Sequence, residues 1–81
     1  MTPQEMIRAV KKAADDAGLN AKGSQRHVSI YGEDDAVVVL LDADGADWKP
    51  RAFHAHGRQC DRMEWPTDPA AFVAECRRRL S

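Results

Sequence analysis

Cysteine is scarce in this chain, and neither a secretory signal peptide nor a membrane-spanning apolar run is present. The only cysteines are Cys60 and Cys76, too few for a disulfide framework. The N-terminal segment MTPQEMIRAVKK lacks the basic start and apolar run of a secretory signal peptide. The longest apolar run, AVVVLL at residues 36–41, is too short to cross a bilayer. We therefore expect a cytoplasmic protein that does not enter a membrane.

A bias toward charge of one sign is also absent. Thirteen acidic and twelve basic residues give a net charge of −1, so no global charge attracts the chain to nucleic acid or membrane. Hydrophobic residues make up 43% and charged residues 31%, which indicates a folded domain with a heavily charged surface. A length of 81 residues predicts a single domain over residues 1–81, without room for a buried catalytic cleft beside the core.

Helix signals stand near both ends of the chain. Thr2, Pro3 and Glu5 have the order of a capping box with proline in the first helical turn. Asp68 and Pro69 have the order of a second helix start. The apolar stripes are Met6, Ile7, Val10, Ala13, Ala14 and Ala17 in the first helix, and Phe72, Val73, Cys76 and Leu80 in the second.

Three strand patterns lie between the helices. QRHVSIYG and KPRAFHAHG alternate, and AVVVLLDA is a continuous run of the kind found in a central strand. LNAKGS, residues 19–24, indicates a loop, while residues 58–66 fit either a short strand or an extended arm. The sequence therefore predicts an α+β fold of order α-β-β-β-α, a three-stranded antiparallel meander with both helices on one face.

The other face of this sheet is a candidate interaction surface. If Val28, Ile30, Phe53 and Ala55 face the helices, alternation places half of the valine and leucine run on the open face. The polar residues expected beside that run are His27, Ser29, Tyr31, His54 and His56. An exposed patch of this kind predicts a protein partner or a homodimer. Folding of residues 58–66 over the patch is the alternative.

Two acidic turns add to this surface. The stretch DADGAD resembles a calcium loop, but with Asp42 as the first ligand its glycine is fourth, whereas an EF-hand needs glycine sixth. We interpret it as a hairpin turn at Asp44-Gly45. The predicted partner-binding residues are Tyr31, Glu33, Asp34, Asp35, Asp42, Asp44, Asp47, Trp48, His54 and His56.

The sequence supports a catalytic or metal site less strongly than it supports an interaction surface. The stretch HAHGRQCD offers zinc ligands in His54, His56 and Cys60, with Asp61 within reach. Structural zinc sites usually show clearer paired spacing, so we expect no metal and no cofactor, while a small metal or thiol site remains an alternative. Neither a nucleophile signature nor a phosphate-binding glycine loop occurs. We expect a protein that is not an enzyme.

The element order is also that of double-stranded RNA-binding domains. That family places phosphate-gripping lysines at the start of its second helix, where this chain reads TDPAAFV. The basic residues Arg77, Arg78 and Arg79 stand at the other end of the helix. RNA binding therefore remains a minor alternative.

In its compact layout, its lack of an active site and its acidic turns GEDD and DADGAD, the chain resembles the anti-CRISPR proteins, small phage-encoded inhibitors. The resemblance implies a protein-binding module that blocks a CRISPR effector complex through its acidic turns and exposed sheet face. The near-neutral charge departs from the strongly acidic DNA mimics among these inhibitors. A small phage or bacterial adaptor of another kind fits the same features.

Overall fold

The described residues fold into two helices and one antiparallel sheet. The computed structural model describes residues 1–45 and 47–81, with the Asp44 side chain outside that description. In chain order the elements are α1 (Pro3–Asp16), β1 (Asn20–Ser24), β2 (His27–Tyr31), β3 (Asp35–Asp44), β4 (Asp47–His56), β5 (Gln59–Met63) and α2 (Pro69–Arg79). In the part of the chain described, neither helix has the length and apolar character needed to cross a membrane.

Both helices begin where their capping residues predict. The Thr2 hydroxyl accepts a hydrogen bond from the Glu5 backbone N–H, and the Glu5 carboxylate accepts one from the Thr2 N–H. Asp68 accepts hydrogen bonds from the N–H groups of Ala70 and Ala71. These bonds satisfy donors that the first turn of a helix leaves unpaired.

The five strands lie in the sheet in chain order, β1-β2-β3-β4-β5, and every neighbouring pair is antiparallel. The α+β class is confirmed, but the predicted number of three strands is wrong. The missed strand β1 has the sequence NAKGS and is exposed at four of its five positions, so it lacks the apolar alternation of a half-buried strand. Residues 59–63, which fitted a strand or an arm, form the other edge strand.

The core lies between the helices and one face of the sheet. The buried residues are Met6, Ile7, Val10 and Ala14 of α1, Val28 and Ile30 of β2, Val37 and Val39 of β3, Ala52 of β4, and Phe72, Val73 and Cys76 of α2. Since buried residues of both helices join the same cluster, both helices cover this face of the sheet. We call it the covered face and the opposite one the open face.

The register of β4 corrects the expected placement of the histidines. Antiparallel partners point to the same side of a sheet, and the buried Val37 and Val39 lie opposite His54 and Ala52. His54 and His56 therefore lie on the covered face, and Phe53 and Ala55 on the open face, the reverse of the prediction. In KPRAFHAHG, alanine occurs on both faces, so alternation alone carried little information about which face is buried.

The hairpin between β3 and β4 extends beyond the rest of the sheet. β2 pairs with residues 36–40 of β3, and β5 pairs with residues 52–56 of β4, whereas β3 and β4 remain paired as far as Asp44 and Asp47. Gly45 follows with φ +66, a backbone conformation that glycine adopts without strain. Ala46, within the predicted turn, lies outside the described residues.

We expect the two cysteines to differ sharply in reactivity. Cys60 is exposed on β5 and Cys76 is buried in α2, where burial raises the pKa of the Cys76 thiol to about 12. Because the thiolate is the reactive form, iodoacetamide should alkylate Cys60 in the native protein and leave Cys76 unmodified. Mass spectrometry of the native and urea-unfolded protein measures this. Cys60→Ser is the control and should show no native alkylation; modification of Cys76 in that variant would contradict the packing of α2.

Candidate functional site

The open face has an apolar centre. The apolar side chains on it are Ala36, Val38 and Leu40 of β3 and Phe53 and Ala55 of β4, with Tyr31 of β2 beside them. All five centre residues remain partly accessible, whereas Val37 and Val39 on the covered face are 0% exposed. Tyr31 is 42% exposed. An apolar patch across the middle of a sheet is a common form of interaction surface.

Residues 58–66 do not cover this patch. Met63 lies opposite Ala52, which places its side chain on the covered face. Met63 and Trp65 both pack against the core cluster. The alternative in which this segment folds over the open face is therefore wrong.

Basic residues flank the apolar centre at both edges of the sheet. One row of paired residues crosses all five strands in the order Lys22, Ser29, Val38, Phe53, Arg62. Its end members Lys22 and Arg62 are exposed. Two rows farther toward the hairpin tip, on the same face, Arg51 donates to the Asp42 carboxylate over 3.0 Å. The face is therefore apolar in the middle and basic at its lateral edges.

The acidic turns lie at opposite ends of this face. Glu33 and Asp34 are exposed in the turn before β3, while Asp42 and Asp47 are near its other end. A strand of 10 residues at roughly 3.3 Å per residue separates the two turns by about 30 Å. They therefore do not form one continuous acidic patch. The predicted role of Asp44 rests on a side chain outside the described residues.

Trp48 lies on the extended hairpin opposite Ala43 and is 47% exposed. The Arg26 guanidinium, from the turn between β1 and β2, lies 4.0 Å from the centre of the Trp48 ring. This cation–π contact joins the hairpin to the β1–β2 turn. The aromatic residue that the sequence placed beside the acidic tip thus has one ring face occupied by an arginine.

A second cluster lies on the covered face, at the end of the sheet away from the hairpin tip. His54 Nε2 is 2.7 Å from Asp35 Oδ2, and His56 Nε2 is 2.7 Å from Asp61 Oδ2. The two imidazole rings have centroids 4.8 Å apart. We call these four residues the histidine cluster. Cys60, which the sequence grouped with the histidines, lies opposite Ala55 and therefore on the open face.

The hydrogen bonds of the histidine cluster favour ionised carboxylates. The hydrogen bond from His54 lowers the pKa of Asp35 from its ordinary value of 3.8, with further help from Ser81, although burial opposes the shift. The hydrogen bond from His56 lowers the pKa of Asp61 in the same way. With a side chain only 6% exposed, Asp35 is not part of the acidic surface of the GEDD turn. It belongs to the covered face.

We expect Asp35→Asn to destabilise the protein at neutral pH. Because the pKa of Asp35 is lower in the folded chain than in the unfolded one, its charged form stabilises the fold above about pH 4. That contribution is lost as the pH falls through the lowered folded-state value. Urea unfolding across this range should therefore show a deficit for Asp35→Asn at pH 7 that closes in acid.

Asp34→Asn is the matched control for this measurement. Asp34 is exposed in the neighbouring turn, so its substitution should change the free energy of unfolding by less than about 0.5 kcal/mol. Equal stability of Asp35→Asn and the unmodified protein at pH 7 would show that the bond to His54 contributes nothing.

Two features of these sites were not predicted from the sequence. They are the position of Asp61 opposite His54 and the position of Cys60 on the other face of the sheet. The turn between β4 and β5 is a signal for both. β4 ends at His56 and β5 begins at Gln59, so Gly57 and Arg58 form a two-residue turn. A two-residue turn fixes the register and places Asp61 opposite His54. The same register places Cys60 on the other face, away from the histidines.

Comparison of the chain with protein-family models, with curated proteins and with solved structures finds no match. The open face and the histidine cluster are the two features of the molecule from which a function can be inferred.

Proposed function

We propose that this protein is a non-enzymatic binding module that recognises a protein partner through its open face. The observation that carries the proposal is the partly exposed apolar centre formed by Val38, Leu40 and Phe53. Burial of such residues against a partner is favourable at roughly 25 cal/mol per Å² of apolar area. A polar rim around an apolar centre is the usual anatomy of a protein interface.

The charge pattern supports one kind of partner surface. Lys22 and Arg62 stand at the two lateral edges of the open face, so the complementary surface has an apolar centre with acidic residues on both sides. Complementary charges increase the association rate and select among partners with similar apolar patches. The module we propose therefore binds a protein that carries an acid-flanked apolar patch.

Two other occupants fit this surface less well. A second copy whose strands were aligned with the first would set basic edges against basic edges. Only a crossed arrangement of the two copies would bring these edges to the acidic turns. A nucleic acid strand lying along β3 would meet acidic residues at both ends, at Glu33 and Asp34 and at Asp42 and Asp47. Single-strand binders also rely on stacked aromatic side chains, and the centre of this face is mainly aliphatic.

A photo-crosslink tests the proposal and captures the partner in the same experiment. Phe53 is replaced by p-benzoylphenylalanine, an aromatic residue that preserves the ring, and the protein is irradiated in an extract of its source cell. We expect an adduct with one protein, joined through a peptide that is apolar and flanked by acidic residues. The same photoreactive residue at Arg8, exposed on α1, is the control and should give no such adduct.

Each other outcome decides against the proposal. An adduct of twice the chain mass identifies a second copy as the occupant, and a nuclease-sensitive adduct identifies a nucleic acid. Absence of any adduct at position 53 would exclude the open face as the binding surface. Equal adducts at positions 8 and 53 would exclude it as well.

The resemblance to anti-CRISPR inhibitors adds a narrower proposal, in which the partner is a CRISPR effector complex. That mechanism gives the acidic turns a direct role, in addition to the open face. Charge reversal with Glu33→Lys and Asp34→Lys tests it separately. An unchanged affinity for the crosslinked partner would exclude acidic mimicry at this turn and would not contradict binding through the open face.

A further inference from the structure

We propose that His54, His56 and Asp61 bind a divalent transition-metal ion on the covered face of the sheet. The three side chains project from neighbouring strands β4 and β5. One ligand atom of each lies within 4.8 Å of the others. This site is independent of the proposed partner surface, because the two lie on opposite faces.

To hold an ion, the three ligand atoms, which lie within 4.8 Å of one another, must draw together at their widest separation and move slightly apart at their narrowest. Metal–ligand bonds of about 2.0–2.2 Å in a tetrahedral site place neighbouring ligand atoms roughly 3.3–3.6 Å apart. His56 Nε2 and Asp61 Oδ2 are 2.7 Å apart and hydrogen-bonded, so an ion that replaced the proton between them would separate them slightly. Asp61 is 61% exposed and His56 36% exposed at their side chains, which leaves both free to rotate.

Asp35 supplies the outer support that metal-binding histidines usually have. With the His54 Nε2–H donated to the Asp35 carboxylate over 2.7 Å, the lone pair of His54 is on Nδ1. A carboxylate that holds the far nitrogen of a ligand histidine fixes its tautomer and ring orientation. The His54 side chain is 12% exposed and that of Asp35 6% exposed, so this support is held in place by burial.

The ligand set indicates the class of ion. Two imidazoles and one carboxylate suit zinc and the neighbouring first-row divalent ions, whereas magnesium and calcium prefer oxygen ligands alone. Three protein ligands leave at least one coordination position for water. The thiol of Cys60 is on the open face and takes no part, in contrast to the zinc set that the sequence suggested.

Isothermal titration of the EDTA-treated full chain with Zn²⁺ tests the site. We expect saturable binding of one ion per chain, lost in His56→Gln and in Asp61→Asn. Asp35→Asn should weaken binding by about 10–100-fold, the usual effect of losing an outer-shell carboxylate. Substitution at the exposed His56 and Asp61 leaves the core intact, and circular dichroism confirms that each variant is folded.

The third histidine provides the matched control. His27 lies on the open face, bonded to Ser29 over 2.6 Å, and His27→Gln should bind Zn²⁺ like the unmodified protein. The alkylation rate of Cys60 should be the same with and without Zn²⁺. Binding that persists in His56→Gln, that is lost in His27→Gln or that does not saturate at one ion per chain would overturn the site. Protection of Cys60 from alkylation by Zn²⁺ would also overturn it, because the ion would then be bound at a different site that includes the thiol.

Discussion

Val39→Asp should abolish folding, whereas Val38→Asp, one residue away, should leave the protein folded. Val39 is 0% exposed and lies between Val28 and Ala52 in the sheet, so an aspartate there has no polar partner. Burial of an unpaired charge costs several kcal/mol. The whole domain of 81 residues has a free energy of unfolding of about 4–12 kcal/mol at typical values per residue, so one such substitution removes most of it.

At Val38 the same substitution meets water on the open face. We expect a loss of no more than about 1–2 kcal/mol, from lost contact with Phe53 and reduced strand propensity. Circular dichroism and thermal unfolding of the two variants measure the difference. A folded Val39→Asp, or loss of the fold in Val38→Asp alone, would mean that the two faces of β3 have been assigned the wrong way round.

Leu40→Glu should weaken binding to the crosslinked partner by about 30-fold or more, the effect of losing a central interface residue worth about 2 kcal/mol. Leu40 lies on the open face between His27 and Arg51 and is partly accessible. A glutamate there places a charge in the apolar centre and must be desolvated when the partner binds. Surface plasmon resonance with the captured partner measures the change.

Ala74→Glu is the matched control for this experiment. It introduces the same charge at an exposed position of α2, away from the open face. Its affinity should stay within about twofold of the unmodified protein, because surface positions outside an interface contribute little to binding. Equal affinities of Leu40→Glu and the unmodified protein would exclude the apolar centre as the contact region.

Local signals predicted the elements whose chemistry is local. The capping residues Thr2 and Asp68 mark the starts of both helices because side-chain hydrogen bonds to the first turn depend only on nearby sequence. The valine run identified β3 because both faces of a central strand carry apolar residues. The edge strand β1 was not predicted, because an exposed strand carries no apolar pattern in its sequence. Its strand structure depends on backbone pairing with β2.

The candidate sites were harder to predict because they depend on register. Whether Phe53 or His54 faces the helices is decided by which β3 residue lies opposite, and a shift of one residue reverses every side chain. The open face itself was predicted, with Tyr31 and the aliphatic residues of β3. Its basic edges were not predicted, because Lys22 and Arg62 come to lie at opposite ends of one row only when all five strands are assembled.

The alkylation rate of Cys60 in the complex tests the central claim most directly. Cys60 is exposed and lies beside Ala55 on the open face, so it reports on that face without any substitution. When the chain is saturated with the partner captured through position 53, we expect iodoacetamide to modify Cys60 several times more slowly than in the free protein. An unchanged rate in the saturated complex would contradict binding through the open face.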